Sequence, residues 1–188
     1  MSEPGHVFLY GQKHAGKTTL GRLLADRLSL AFLDLDDLIV ELANDGHGPP
    51  SADARAVYRR HGAQGFRDFE ARAARSLSQR LAYAPPTVCS LGGGTVGNAL
   101  ARGALEGLGL FVYLYVDTDE LYRRISQTGR PAFLTSDDPR AEFMRLAAER
   151  DEVFRTHADV IVDLDALGPV DATDRLVEQL REHGFGGQ

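Results

Sequence analysis

The chain has 188 residues, 43% of them hydrophobic and 26% charged, with a formal net charge of −6 and a pI near 5.5. That is enough apolar material for one domain with a sizeable core. The acidic balance, without any block of five or more like charges, disfavours general nucleic-acid or membrane-surface binding, since both need a basic face. Cys89 is the only cysteine, so no intrachain disulfide and no cysteine-rich zinc site can form, which fits a reducing cytoplasm. Residues 1–6 show no signal-peptide pattern, and no run approaches the roughly 18 apolar residues of a membrane span.

Residues 7–10 form an apolar run that stops at Gly11 and predicts a strand. From Lys17 onward, Leu20, Leu23, Leu24 and Leu28 recur at helical spacing. Residues 31–35 predict a second strand, and Leu38, Ile39 and Leu42 a short helix ending near Gly46. Gly46, Gly48, Pro49 and Pro50 make residues 44–53 a loop. Helices are predicted over residues 52–61 and 65–81, the second with Phe66, Phe69, Ala73, Leu77 and Leu81 on one face. Residues 87–91 predict a strand that runs into Gly92-Gly93-Gly94. Asn98 is placed to cap a helix through Leu105, and residues 110–116 form the most apolar strand. Asp117 or Thr118 is placed to cap the helix that follows. Residues 126–139 are polar and irregular. A helix over 140–157, a strand over 160–162 and a helix over 170–182 complete the chain.

Strands alternating with helices specify an α/β fold with a mainly parallel sheet, and continuously apolar strands imply that both faces are covered. Ligands of such sheets bind beyond the carboxyl ends of the strands, here at Gly11, Asp34, Gly92 and Asp117.

The first of these exits reads Gly11-Gln12-Lys13-His14-Ala15-Gly16-Lys17-Thr18, the pattern G-x-x-x-x-G-K-[ST] between a strand and a helix. Its glycines let the loop curl so that backbone N–H groups face phosphate oxygens, and the next helix adds its positive end. Lys17 would reach the β- and γ-phosphates of ATP and Thr18 would hold Mg²⁺; His14 is expected to serve through its backbone N–H. At the second exit, Asp34 and Asp36 offer one carboxylate for the metal and one for the acceptor hydroxyl. The alternative is that Asp36 or Asp37 simply caps the next helix.

Arg150 follows Phe143, Leu146 and Ala147 on an apolar stripe, and Arg67 lies near a helix N-terminus. Helix stability explains neither position, whereas fork-like pairing with a carboxylate suits both. Internal salt bridges, for example Arg67 with Glu70, account for them equally well. Gly92-Gly93-Gly94 allows either close approach to a ligand or a plain tight turn. Residues 126–139, with Arg123, Arg124 and Arg130 in or beside them, read as a lid or as an ordinary solvated loop.

Taken in order, Gly11 to Thr19, Asp34-Leu35-Asp36, Gly65-Phe66-Arg67-Asp68, Leu91-Gly92-Gly93-Gly94, Arg130-Pro131 and Glu149-Arg150 resemble the shikimate kinase family over nearly the whole chain. The resemblance implies an NMP-kinase-like three-layer α/β/α sandwich with a five-stranded parallel sheet. It implies a single domain with a substrate-binding helical part at about 36–82 and a lid at about 126–139. It further implies a monomer that uses ATP and Mg²⁺ to phosphorylate shikimate. By the same resemblance Lys17, Asp36 and Arg130 carry the chemistry. Gly11, His14, Ala15, Gly16, Lys17, Thr18, Thr19 and Arg130 hold ATP, with adenine near Arg123 or Arg124. Asp36, Arg67, Gly92, Gly93, Gly94 and Arg150 bind shikimate, and Thr18 and Asp34 hold the metal. Three departures stand out: Ala132-Phe133 after the lid Arg-Pro, Gly62-Ala63 where the family has Gly-Glu, and a longer loop at 44–53. A gluconate-kinase-like enzyme, a nucleoside monophosphate kinase and a non-catalytic ligand sensor are the rival readings. The sensor is disfavoured because no DNA-binding module accompanies a phosphate loop that begins ten residues into the chain.

Overall fold

A computed structural model describes residues 5–45, 49–127, 134 and 136–185. The strands β1 (His6–Tyr10), β2 (Ala31–Asp34), β3 (Thr87–Ser90), β4 (Gly109–Tyr115) and β5 (Val160–Asp163) form one sheet in the order β2-β3-β1-β4-β5. Every neighbouring pair is parallel. The helices are α1 (Lys17–Leu28), α2 (Leu35–Asn44), α3 (Ala54–Leu81), α4 (Ala99–Leu105), α5 (Thr118–Gln127), α6 (Pro139–Thr156) and α7 (Pro169–Glu182).

The period of two along β1 sorts its side chains between two cores. Val7 and Leu9 pack with Leu20 and Leu24 of α1, Leu121 of α5, Phe143 of α6 and Leu176 of α7. Phe8 and Tyr10 pack with Ile39 of α2, Leu77 of α3 and Leu105 of α4. Helices therefore cover both faces, giving the expected three layers. Each fully buried Leu or Phe contributes about 1.5–3 kcal/mol. Because every strand runs the same way, all five carboxyl ends open on one rim. Among the described residues no helix is long and apolar enough to cross a membrane.

Two local outcomes differ from the sequence expectation. The second strand ends at Asp34 rather than at residue 35, and Leu35 opens α2 as a fully buried residue. Asp34 keeps the extended conformation of an N-cap (φ −113°, ψ 126°), and its side chain accepts from the Asp36 backbone N–H. Capping thus falls to Asp34 and not to Asp36 or Asp37, which leaves the Asp36 carboxylate free of that task. The two helices predicted over 52–81 are two arms of α3, separated where Gly62 leaves helical geometry (φ 69°, ψ −177°). Asn98 and Asp117 cap as expected, Asn98 Oδ1 accepting from Ala101 N and Asp117 Oδ1 from Asp119 N. Of the expected lid, residues 128–133 and 135, including Arg130, Ala132 and Phe133, lie outside the described residues.

His6 opens the central strand almost fully buried, and among the described residues its Nδ1 has no hydrogen-bond partner. Burial lowers its pKa, with a hydrogen bond to the Leu81 backbone working the other way. In the unfolded chain this imidazole takes up a proton near pH 6.5. Between its lowered folded pKa and that value the unfolded state binds more protons, so stability is lost as pH falls. Urea midpoints at pH 7 and pH 5 should show a steeper acid loss for the native chain than for His6→Phe; equal slopes would contradict this account.

Candidate active site

The loop of residues 11–16 joins β1 to α1 at the centre of the rim. A Cβ on Gly11 would lie 2.6 Å from the Leu114 carbonyl oxygen, and φ is 152°, so the strand exit is pressed against β4 in a way only glycine permits. The loop then turns through His14 (φ 65°) and Gly16 (φ 90°). A left-handed conformation costs a non-glycine residue such as His14 about 1–2 kcal/mol. Gly16 is the N-cap of α1 and no side chain caps that helix, which leaves its first N–H groups available to an anion. Lys17 Nζ donates to the carbonyls of Gly11 (3.2 Å) and Gln12 (3.0 Å). Burial lowers the Lys17 pKa to about 8, against the pull of Asp36 and Asp34. A bound phosphate would favour the charged form again.

The β2 exit is joined directly to this loop. Thr18 Oγ1 donates to Asp34 Oδ2 at 2.8 Å, and Asp34 Oδ1 accepts from Asp36 N at 3.0 Å. A hydroxyl and a carboxylate held together in this way are hard oxygen donors of the kind Mg²⁺ takes, so the residues present fit that ion. Asp36 is half-buried. Burial first, and then the Asp34 charge, raise its pKa to about 6, while Lys17 opposes them.

The β3 exit closes over the same carboxylate. A Cβ on Gly92 would stand 3.2 Å from Asp36 Oδ1 and 3.4 Å from Glu70 Oε1, and one on Gly93 would stand 3.5 Å from the Gly11 carbonyl oxygen. The glycine run therefore lies between the phosphate loop and two carboxylates, and a side chain at 92 would crowd both of them and the Thr95 hydroxyl, 3.1 Å from such a Cβ.

The wall beyond Asp36 comes from α3 and α6. Glu70 is 2% exposed and accepts from Thr95 Oγ1 (3.2 Å) and Asn98 Nδ2 (3.5 Å); burial raises its pKa, which these two hydrogen bonds oppose. Arg67 donates from Nη2 to the Gly97 carbonyl at 3.3 Å, and its own carbonyl accepts from Asn98 Nδ2 at 2.9 Å. Glu70 thus spends its hydrogen bonds on Thr95 and Asn98, and the sequence alternative of an Arg67–Glu70 ion pair is not the arrangement found. Arg150 is exposed to solvent. Desolvation by the surrounding protein lowers its pKa, with Tyr58 and Glu70 pulling the other way. Among the described residues neither Arg67 nor Arg150 forms a salt bridge with a carboxylate. Two guanidinium groups therefore flank one buried acid and remain available to an anionic ligand.

The structure brings together Gly11, His14, Ala15, Gly16, Lys17, Thr18, Asp34, Asp36 and Gly92–Gly94, with Arg67 and Arg150 set around Glu70. Thr19 is exposed on the first turn of α1. The two candidate adenine-side arginines separate. Both pair with Glu120, but only Arg124, 32% exposed, also donates from Nη1 to the His14 carbonyl at 3.2 Å, whereas Arg123 stays 60% exposed. Sequence reasoning missed Lys13, Gln12 and Tyr58. Lys13 is half-buried in the fields of Asp36, Asp53 and Arg55, and the Tyr58 ring stacks edge-on against Phe66 at 5.6 Å. The available signal for Lys13 and Gln12 was their position inside the phosphate loop; Tyr58 offered none.

Residues 13–181 match the family model for shikimate kinase. The shikimate kinase of Pseudoalteromonas atlantica is 32% identical over 182 residues, covering 97% of this chain and 100% of that protein. The shikimate kinase of Shewanella denitrificans is 34% identical over 180 residues, covering 96% and 99%. Among solved structures, the shikimate kinase of Acinetobacter baumannii in complex with shikimate superposes with a TM-score of 0.80 at 25% identity, covering 96% of this chain and 94% of that one. A gluconokinase of Sinorhizobium meliloti shares the fold at a TM-score of 0.61 and 17% identity, covering 98% and 95%. With the phosphate loop, the Asp36 carboxylate and the paired arginines on one rim, and with these full-length matches, the chain belongs to the shikimate kinase family.

Proposed function

We propose that this chain transfers the γ-phosphoryl group of ATP to the 3-hydroxyl of shikimate, giving shikimate 3-phosphate and ADP. The observation that carries the reading is the place of Asp36, in the field of Lys17 on one side and against Gly92 and Glu70 on the other. A hydroxyl resting on Asp36 faces the phosphate loop. Its oxygen attacks the γ-phosphorus, the bond to the β–γ bridging oxygen breaks, and the hydroxyl proton passes to Asp36. The folded pKa of Asp36, about 6, suits a group that accepts a proton near neutral pH.

Lys17 meets the β- and γ-phosphates and neutralises charge that develops in the transfer. Mg²⁺, when held by Thr18 and Asp34, neutralises further phosphate charge. Arg67 and Arg150 grip the acceptor carboxylate, which sets the hydroxyl geometry. Gly93 offers its backbone to the acceptor, and Arg124 lies beside the nucleotide. Arg130 keeps the lid role that resemblance gives it, outside the described residues. The region of about 36–82 serves as the acceptor-binding part and about 126–139 as the lid. The protein acts as a monomer in the cytoplasm, with its single thiol buried.

The test is ADP release with Mg·ATP in the presence of shikimate, quinate or gluconate. Shikimate-dependent release is expected; release with gluconate alone would move the acceptor, and release with none would overturn the reading. Lys17→Ala should lower kcat/KM by about 10²–10³-fold with an unchanged melting curve. Arg67→Met and Arg150→Met should each raise the shikimate KM about tenfold or more and leave the ATP KM near that of the native chain.

Asp36 also makes a stability prediction. Its pKa is about 6 folded against an ordinary 3.8. Between these values the folded state binds more protons than the unfolded state, so stability falls as pH rises through them. Above pH 6 the ionised carboxylate is a standing cost. Asp36→Asn should therefore abolish turnover while stabilising the protein at pH 7.5 by about 1–2 kcal/mol, read from urea unfolding. Destabilisation by that variant would contradict the assignment of burial as the main cause of the shift.

A further inference from the structure

Helix α6 is fastened to β1 and to the phosphate loop that follows it by two side chains. Gln12, 5% exposed, donates from Nε2 to the Ala147 carbonyl at 2.9 Å. Tyr10, fully buried, donates from Oη to the Phe154 carbonyl at 2.8 Å. A third bond comes from the neighbouring strand, where Tyr113 Oη donates to Asp151 Oδ1 at 2.7 Å. Arg150 is three residues after Ala147 and four before Phe154, so the Gln12 and Tyr10 fastenings bracket it by one turn on either side.

Gln12 is also part of the phosphate loop, and its own carbonyl accepts from Lys17 Nζ at 3.0 Å. One residue thus touches the phosphate-binding lysine through its main chain and α6 through its side chain. The Ala147 carbonyl lies inside a helix, where a backbone partner already uses one lone pair. The Gln12 bond is therefore not required for the helix to form. A buried primary amide costs free energy unless it is hydrogen-bonded, and an apolar residue of the same length would fill the space without that demand. What the amide adds is a directional tie between the loop and one turn of α6.

We propose that Gln12 is a positioning residue that ties Arg150 to the phosphate loop, so that nucleotide binding and the grip on the acceptor carboxylate are linked through α6. The proposal rests on the reading of Arg150 as an acceptor clamp. Ordering of the loop by a nucleotide holds Gln12, Gln12 holds the turn at Ala147, and the guanidinium one turn further is presented in a fixed place. By reciprocity the acceptor strengthens nucleotide binding by the same factor.

The experiment is amide hydrogen exchange on the full chain with and without Mg·ADP, for the native protein and Gln12→Met, which keeps the side-chain length and removes the donor. In the native protein, nucleotide should slow exchange in residues 11–20 and in residues 147–154. In Gln12→Met the first protection should remain and the second should fall to background. In turnover assays the variant should raise the shikimate KM by about 3–30-fold, while its affinity for Mg·ADP measured without acceptor should stay within about twofold of the native value. Equal nucleotide protection of residues 147–154 in both proteins would overturn the proposal, as would a native protein in which nucleotide leaves α6 unchanged. Tyr10→Phe removes only the bond to Phe154 and gives an independent reading if Gln12→Met fails to fold. It should raise the shikimate KM in the same direction, and an unchanged KM would count against the tie. The exchange measurement contains no acceptor, so it decides the link separately from the acceptor panel that decides the identity of the substrate.

Discussion

The site depends on the close approach of two backbones at the end of the central strand. Gly11 leaves β1 with no room for a Cβ against the Leu114 carbonyl, and that contact aims the chain back over the sheet rim into the phosphate loop. Because β1 lies between β3 and β4 with all pairs parallel, the loop arises in the middle of the rim. The exits of β2 and β3 deliver Asp34, Asp36 and Gly92 to it from one side. Arg124, from the helix after β4, reaches it through the His14 carbonyl. An antiparallel neighbour would have sent those residues to the opposite rim.

The groups gathered there are an electrostatic burden that the fold tolerates for chemistry. Three carboxylates, Asp34, Asp36 and Glu70, share the site with Lys13, Lys17, Arg67 and Arg150. Burial acts on the acids and bases in opposite senses, raising Asp36 and Glu70 and lowering Lys13, Lys17 and Arg150. Each shift brings the neutral form closer and records work done to remove the charge from water. A bound polyphosphate chain and a substrate carboxylate relieve the cationic half of this burden. Such a site is at odds with maximal stability, as sites prepared for a charged transition state commonly are.

Helix α6 has an unusual share in this arrangement. Its Phe143 and Ala147 belong to the core on one face of the sheet, and its Phe154 to the core on the other. The helix therefore passes from one layer to the other, with Arg150 at the crossing. Tyr10 and Tyr113, stacked at 5.6 Å, present two hydroxyls to it from below. The aromatic pair supplies apolar contact with polar tips that satisfy buried partners.

The elements and the first half of the site are legible in the amino-acid order. Periods of two and 3.6 marked the strands and helices, and the spacing of Gly11, Gly16, Lys17 and Thr18 marked the phosphate loop, because those signals are local and the physics of a loop before a helix is local. The glycine run and the order of the arginine elements pointed to the family by resemblance. Relations between distant segments emerge only once the chain has folded. Asp34 and not Asp36 caps α2, since the strand ends one residue sooner when Leu35 is drawn into the core. Glu70 bonds Thr95 and Asn98 and, among the described residues, leaves Arg67 without a carboxylate partner, a choice between i+3 and long-range partners that spacing could not make. Arg124 and not its neighbour meets the phosphate loop, because one faces the rim and the other faces water. Gln12 and Tyr10 find α6 more than 130 residues away. Sequence patterns register which face of an element is buried; they carry no record of which distant carbonyl a buried amide or hydroxyl will meet once the layers close.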